Sequence, residues 1–186
     1  MYLAQNLLPI AAAAINDASY RAEKTTLDAA VSALRAAHPD LVNPAHTKGG
    51  SLIAASTNLR TELRKALPGH KFSVTAERFA GGNALRVSWT DGPSLSRVEN
   101  IADKYQDGYF DGQTDCYNYT KSEWTEAFGA AKFVQTSREL SPQIQAWIME
   151  PATGQRYPDQ FSEDCAFRRR LINGLNIKAI KQPAAE

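Results

Sequence analysis

The chain has 186 residues, 43% of them hydrophobic and 22% charged, a composition ordinary for a globular protein, far from the disordered regime, that allows one sizeable core. Lysine plus arginine number 21 against 20 acids, a formal charge of +1. That balance supplies neither the positive field of a bulk nucleic-acid or membrane binder nor the acidity of a DNA mimic.

Residues 4–23 predict a first helix with Pro9 in its first turn, where a missing N–H costs little. The uncharged run 7–15 has no cation before Arg21 and is too short for a bilayer, so neither a secretory leader nor an anchor is expected. A second helix starts near Thr26, with Leu27, Val31 and Leu34 on one face, and ends before Pro39. Pro44 and Gly49-Gly50 mark residues 40–50 as a loop. A third helix follows from Ser51, a suitable N-cap, through Leu52, Ile53, Leu59, Leu63 and Leu67 to the Pro68-Gly69 stop.

The strongest strand signal comes next. Phe72, Val74 and Ala76, then Leu85, Val87 and Trp89, alternate with period 2, and Gly81-Gly82-Asn83 between them predicts a hairpin turn. Asp91-Gly92-Pro93 ends the second strand, because proline cannot donate to a ladder. Residues 94–106 predict a helix, with Ser96 and Glu99 spaced as a capping box. Residues 107–112 read as an aromatic turn, Cys116–Tyr119 as a short edge strand, and 131–137 as a third main strand with Phe133 inward. A helix opens at Ser141-Pro142, and a last one runs from 162 through Phe167, Leu171 and Ile172. The expected class is α+β: a small antiparallel sheet on the central hairpin, covered by helices from both termini.

Few side chains suggest chemistry. Asp91, Asp111 and Asp115 have the character of a hard-cation site, but Asp-Gly pairs at 91–92 and 111–112 are stronger as turn signals. His38, His46 and His70 form no zinc pair, and Cys116 and Cys165 match no zinc spacing. Two thiols in a chain of this size suit a reducing compartment, and the expected location is the cytoplasm. Lys48-Gly49-Gly50-Ser51 lacks the full phosphate-loop spacing. Arg78, Asn83 and Arg86 around the hairpin turn, and Arg168 and Arg169 on the last helix, are the candidate contact residues. Phe79 or Tyr109 beside such arginines suits stacking on an unpaired base.

Several runs together resemble a known family: Asn58-Leu59-Arg60-x-Glu62-Leu63, Pro68-Gly69-x-Lys71-Phe72-Ser73-Val74, Gly81-Gly82-Asn83, Val87-Ser88-Trp89-Thr90-Asp91-Gly92-Pro93 and Phe110-Asp111-Gly112-x-x-Asp115. They resemble the large polyvalent protein-associated domain, number twenty-nine of its series, over about residues 51–140. Residues 1–50 then form an N-terminal helical pair with its loop, and 141–186 C-terminal helices packed on the domain. The resemblance implies a phage or plasmid setting beside anti-restriction or DNA-metabolism modules. It makes a counter-defence protein the leading expectation: a non-enzymatic anti-CRISPR or anti-restriction inhibitor that binds a host defence protein or ribonucleoprotein and needs no cofactor. The alternative is a nucleic-acid-binding accessory of plasmid or phage DNA metabolism. A metal-dependent nuclease using Asp91, Asp111 and Asp115 is the third reading.

Overall fold

Nothing between Arg21 and Thr26 interrupts a helical backbone, and the expected pair of N-terminal helices is one helix, α1 (Leu7–Ala37). The computed structural model that shows this describes residues 7–149. Thr25 and Thr26 are absorbed because their hydroxyls donate back to the carbonyls of Arg21 (2.8 Å) and Ala22 (2.9 Å). Leu27, Val31 and Leu34 join the core from this helix, and the Arg35 guanidinium donates to the carbonyls of Ala127 and Glu126.

Helix α2 (Gly50–Ala66) starts one residue before the predicted cap. Gly49, at φ +102°, occupies the N-cap position, and Ser51 lies in the first turn instead. The Ser51 hydroxyl is diverted to a distant partner, accepting the Ala130 N–H at 2.8 Å. Leu52, Ala55, Leu59 and Leu63 form the buried stripe of the helix, which Leu67 extends past its end.

The hairpin forms in the register implied by its alternation. β1 (Ser73–Phe79) pairs antiparallel with β2 (Gly82–Thr90), setting Val74 against Val87 and Ala76 against Leu85. The connection is Ala80-Gly81, and Asn83 is a strand residue whose side chain accepts the Lys132 N–H at 2.8 Å. Asp91 and Gly92, both at positive φ, turn the chain sharply, and the Trp89 indole N–H donates to the Pro93 carbonyl.

The third strand corrects the sheet type. β5 (Phe133–Glu139) pairs with β2 in parallel, so the three-stranded sheet, ordered β1-β2-β5, is mixed. A parallel partner requires a long crossover. It is supplied by α3 (Leu95–Ala102), a 3-10 turn at Asp103–Tyr105, β3 (Gly108–Asp111), β4 (Cys116–Tyr119) and α4 (Glu123–Phe128). The α+β class stands. Residues 108–111 are a strand, paired antiparallel with β4 in a separate two-stranded ribbon, not the expected turn.

Ser96 and Glu99 form no capping box: α3 is capped at Ser94, whose hydroxyl meets that of Ser96, while Glu99 accepts from Thr136. The capping box belongs to α4, where Ser122 and Thr125 satisfy each other's backbone N–H groups. Helix α5 (Pro142–Met149) begins as predicted, and the last predicted helix lies outside the described residues. Leu59, Leu63, Leu85, Val87, Val98, Tyr105 and Phe128 make the centre of the core, between α2 and α3 and one face of the sheet. Among the described residues no helix is long and apolar enough to cross a membrane.

Candidate functional site

Strand alternation divides the main sheet into a core face, with Val74, Leu85, Val87 and Val134, and an outer face. Phe133 falls on the outer face, opposite Ala84, not inward as its apolarity suggested. There it stacks on Phe79, with ring centroids 6.2 Å apart, and meets the edge of Tyr117 at 5.5 Å. Tyr117 meets Tyr119 at 4.8 Å, and Phe110 faces Tyr117 across the ribbon. Five aromatic rings from four strands therefore form one ridge. Three of them, Phe79 (47%), Phe110 (58%) and Tyr119 (63%), are substantially exposed.

Lys132 crosses this ridge. Its ammonium lies 4.9 Å from the Tyr117 ring centre and 5.4 Å from that of Phe133, and donates to the Gly81 carbonyl. The Tyr117 hydroxyl donates to the Lys132 carbonyl and sits near Asp107. Desolvation and then the Asp107 carboxylate push its pKa up, so it stays a neutral donor beyond the pH at which an ordinary phenol ionises. Arg86 shares this outer face and is paired with Glu77 at 2.8 Å. An apolar ridge with an overlying cation and balanced charge around it can bind through contact area.

The other expected contact residues separate. Arg78 pairs with Asn83 in register, and both therefore lie on the face opposite Arg86. Arg78 donates to the Gly49 carbonyl at 2.7 Å, and Asn83 holds the start of β5. Arg168 and Arg169 lie outside the described residues, as does Cys165; Cys116 is an exposed thiol. The three aspartates do not converge. Asp91 accepts the Ser141 N–H at 2.8 Å, and its carbonyl accepts from Arg138. Asp111 accepts the Gln113 N–H at 2.9 Å and the Thr114 hydroxyl, which hold its pKa below the usual carboxylate range. Asp115, at φ +53°, turns the ribbon. Among the described residues no three His, Cys, Asp or Glu side chains gather around a metal position.

Sequence reading missed a half-buried polar cluster around the buried Tyr105. Glu62 on α2 accepts from the Tyr105 hydroxyl and from Lys104 at 2.6 Å, while the Lys104 ammonium lies 3.7 Å from the Trp124 ring centre. Burial and the Glu62 contact raise the Tyr105 pKa far above its ordinary value, so the phenol serves as a fixed donor. The adjoining open cleft, about 330 Å³, holds Lys65 facing Asp40 as well as Lys104 facing Glu62. Cation and acid are matched there, which suits a brace better than a charged ligand. The 43-residue separation of Glu62 and Tyr105 leaves no local signal to find.

The quoted motifs now acquire structural roles. Asn58 accepts the Val42 N–H and donates to the carbonyls of Val42 and Phe128; Arg60 donates to the Val74 carbonyl; Glu62 holds the buried phenol. Three side chains of one helix thus tie α2 to the preceding loop, α4, β1 and the turn after α3. Residues 51–141 match the large polyvalent protein associated domain 29 family. No curated protein and no solved structure matches the chain. Both ends of the matched region are fastened: Ser51 to Ala130, and Ser141 to Asp91. Phe110 departs from this pattern. It lies within one of the runs that carry the resemblance, yet its ring is on the exposed ridge.

Proposed function

We propose that the chain is a mobile-element counter-defence protein that acts without catalysis, by binding a host CRISPR or restriction component. The outer-face ridge of Phe79, Phe133, Tyr117, Phe110 and Tyr119 is the contact surface. The observation that carries the reading is exposure: large rings of the sheet and ribbon stand in solvent, whereas Trp89, Tyr105 and Phe128 are buried in the core. Contiguous exposed apolar surface of this kind marks interaction sites, and Tyr and Phe are typical anchors of protein interfaces. The domain match supports the phage or plasmid setting. The aspartates support a non-catalytic reading, since Asp91 and Asp111 are each engaged in turn hydrogen bonds. Affinity capture with the full chain, in hosts carrying defined CRISPR and restriction systems, is expected to recover a subunit of one of them. Recovery of neither, at protein levels matching an active control inhibitor, overturns the proposal.

Lys132 above the Tyr117 and Phe133 rings favours the second reading, a nucleic-acid accessory, because a cation beside a stacking ring serves one nucleotide unit. Glu77 and Glu139 on the same face weigh against it. Oligonucleotide binding that weakens steeply with salt is the outcome that would favour it.

A further inference from the structure

A second surface, at the opposite end of β1 from the Phe79 end of the ridge, carries a chemical signature of its own. Where α2 ends and β1 begins, an open cleft of about 360 Å³ is lined by Arg60, Arg64, His70, Lys71 and Phe72. Its lining holds three fixed positive charges and no carboxylate. Arg64 and Lys71 take part in none of the ion pairs among the described residues, which join Asp17, Asp40, Glu77, Glu62 and Glu126 to other cations. In a molecule of net charge +1, an unneutralised group of this size is a local anion trap.

The cleft is also partly organised. Arg60 is held by the Val74 carbonyl and approaches the Ser56 hydroxyl at 3.4 Å, so its guanidinium is placed before any ligand arrives. His70 lies directly over Gly92, where a Cβ would stand 2.6 Å from its Nδ1. Phe72 is backed by Trp89, with ring centroids 5.8 Å apart. A second open cleft of about 310 Å³ shares Lys71 and Phe72 and continues past Ser73, Ser88, Thr90 and Glu139. Ser73, Ser88 and Glu139 belong to the outer face of the sheet, whereas the Phe72 ring packs on the core side against Trp89, so the two clefts adjoin across the start of β1.

We propose that this double cleft binds a phosphate-bearing small ligand of the nucleotide class. The phosphate sits among Arg60, Arg64 and Lys71, where charge-assisted hydrogen bonds are strongest. The nucleoside lies against Phe72, beside the cations. Glu139 gives the site polarity: it repels a second phosphate at that end, which favours a single nucleotide over a continuing strand. Each cleft lies in the size range of small-molecule sites.

Isothermal titration calorimetry of the full chain with adenosine 5′-monophosphate and with adenosine tests the assignment. The nucleotide is expected to bind about tenfold or more tightly than the nucleoside. The double substitution Arg64→Ala/Lys71→Ala, at two exposed positions, should reduce nucleotide affinity by about tenfold at unchanged melting temperature. A single Lys71→Arg substitution, which keeps the charge, should largely preserve it. Equal binding of nucleotide and nucleoside, no binding of either, or an unaltered affinity in the double variant overturns the proposal. So does a short single-stranded oligonucleotide binding about 100-fold more tightly than the nucleotide, which would assign the cleft to a strand.

Discussion

Asn58 is the side chain whose loss should reveal most about how this domain is held together. It is 1% exposed and makes three hydrogen bonds, accepting the Val42 N–H at 2.7 Å and donating to the carbonyls of Val42 and Phe128 at 2.9 Å each. Asn58→Ala removes the partner of all three. The Phe128 carbonyl is buried and loses its bond outright, a penalty of about 1–3 kcal/mol. Val42 lies nearer the surface, where water replaces part of what is lost, so its two bonds add about 0.5 kcal/mol each. The total, about 2–4 kcal/mol, corresponds to a drop in melting temperature of roughly 4–16 °C for a chain of this length. Urea denaturation followed by circular dichroism measures it directly. Asn58→Asp should cost at least as much, because it keeps the acceptor, removes both donors and buries a charge. A loss below about 0.5 kcal/mol for both variants would refute the bracing role assigned to this residue.

Gly129, at φ +89°, allows the α4–β5 connection to pass α2 closely: a Cβ there would stand 2.3 Å from the Ser51 carbonyl oxygen. Gly129→Ala should therefore destabilise by about 2–4 kcal/mol, whereas Gly112→Ala, with nothing within 4 Å, should stay within about 0.5 kcal/mol in the same thermal melts. Alkaline titration probes Tyr105. An unfolded tyrosine loses its proton near pH 10, while the folded phenol, buried and bonded to Glu62, keeps it. The unfolded state thus binds fewer protons above pH 10, and stability should fall there by about 1.4 kcal/mol per pH unit from this group. Tyr105→Phe should lose stability at neutral pH and show a shallower alkaline decline in denaturant midpoints.

The hairpin was legible because its alternation and its register depend on adjacent residues. Leu85, Val87 and Trp89 point inward as their spacing requires. The parallel pairing of β5 was not, since β2 and β5 are joined through a crossover whose path depends on tertiary packing. Ser51 and Ser96 looked like helix caps by position, but distant or neighbouring partners claim their hydroxyls. Phe133 illustrates the limit for site residues. Apolarity predicted burial in the core, whereas strand register placed it outside, where Tyr117 and Phe79 cover it only in part. Arg78 and Arg86 are close in sequence, yet the same register sends them to opposite faces. The basic cleft needed the end of α2 to meet the start of β1, which composition does not encode.

If the outer aromatic ridge binds a defence component, as proposed, loss of its exposed rings must abolish inhibition. The triple substitution Phe79→Ser/Phe110→Ser/Tyr119→Ser removes the three most exposed rings of the ridge, and Tyr20→Ser removes an equally exposed ring on α1 as a control. Phage or plasmid survival in a host carrying the targeted defence system reports inhibition, with melting temperatures measured in parallel. Survival should fall by about 100-fold with the triple variant and stay at the wild-type level with Tyr20→Ser, both proteins remaining folded. Full protection by a folded triple variant would rule out the ridge as the contact surface.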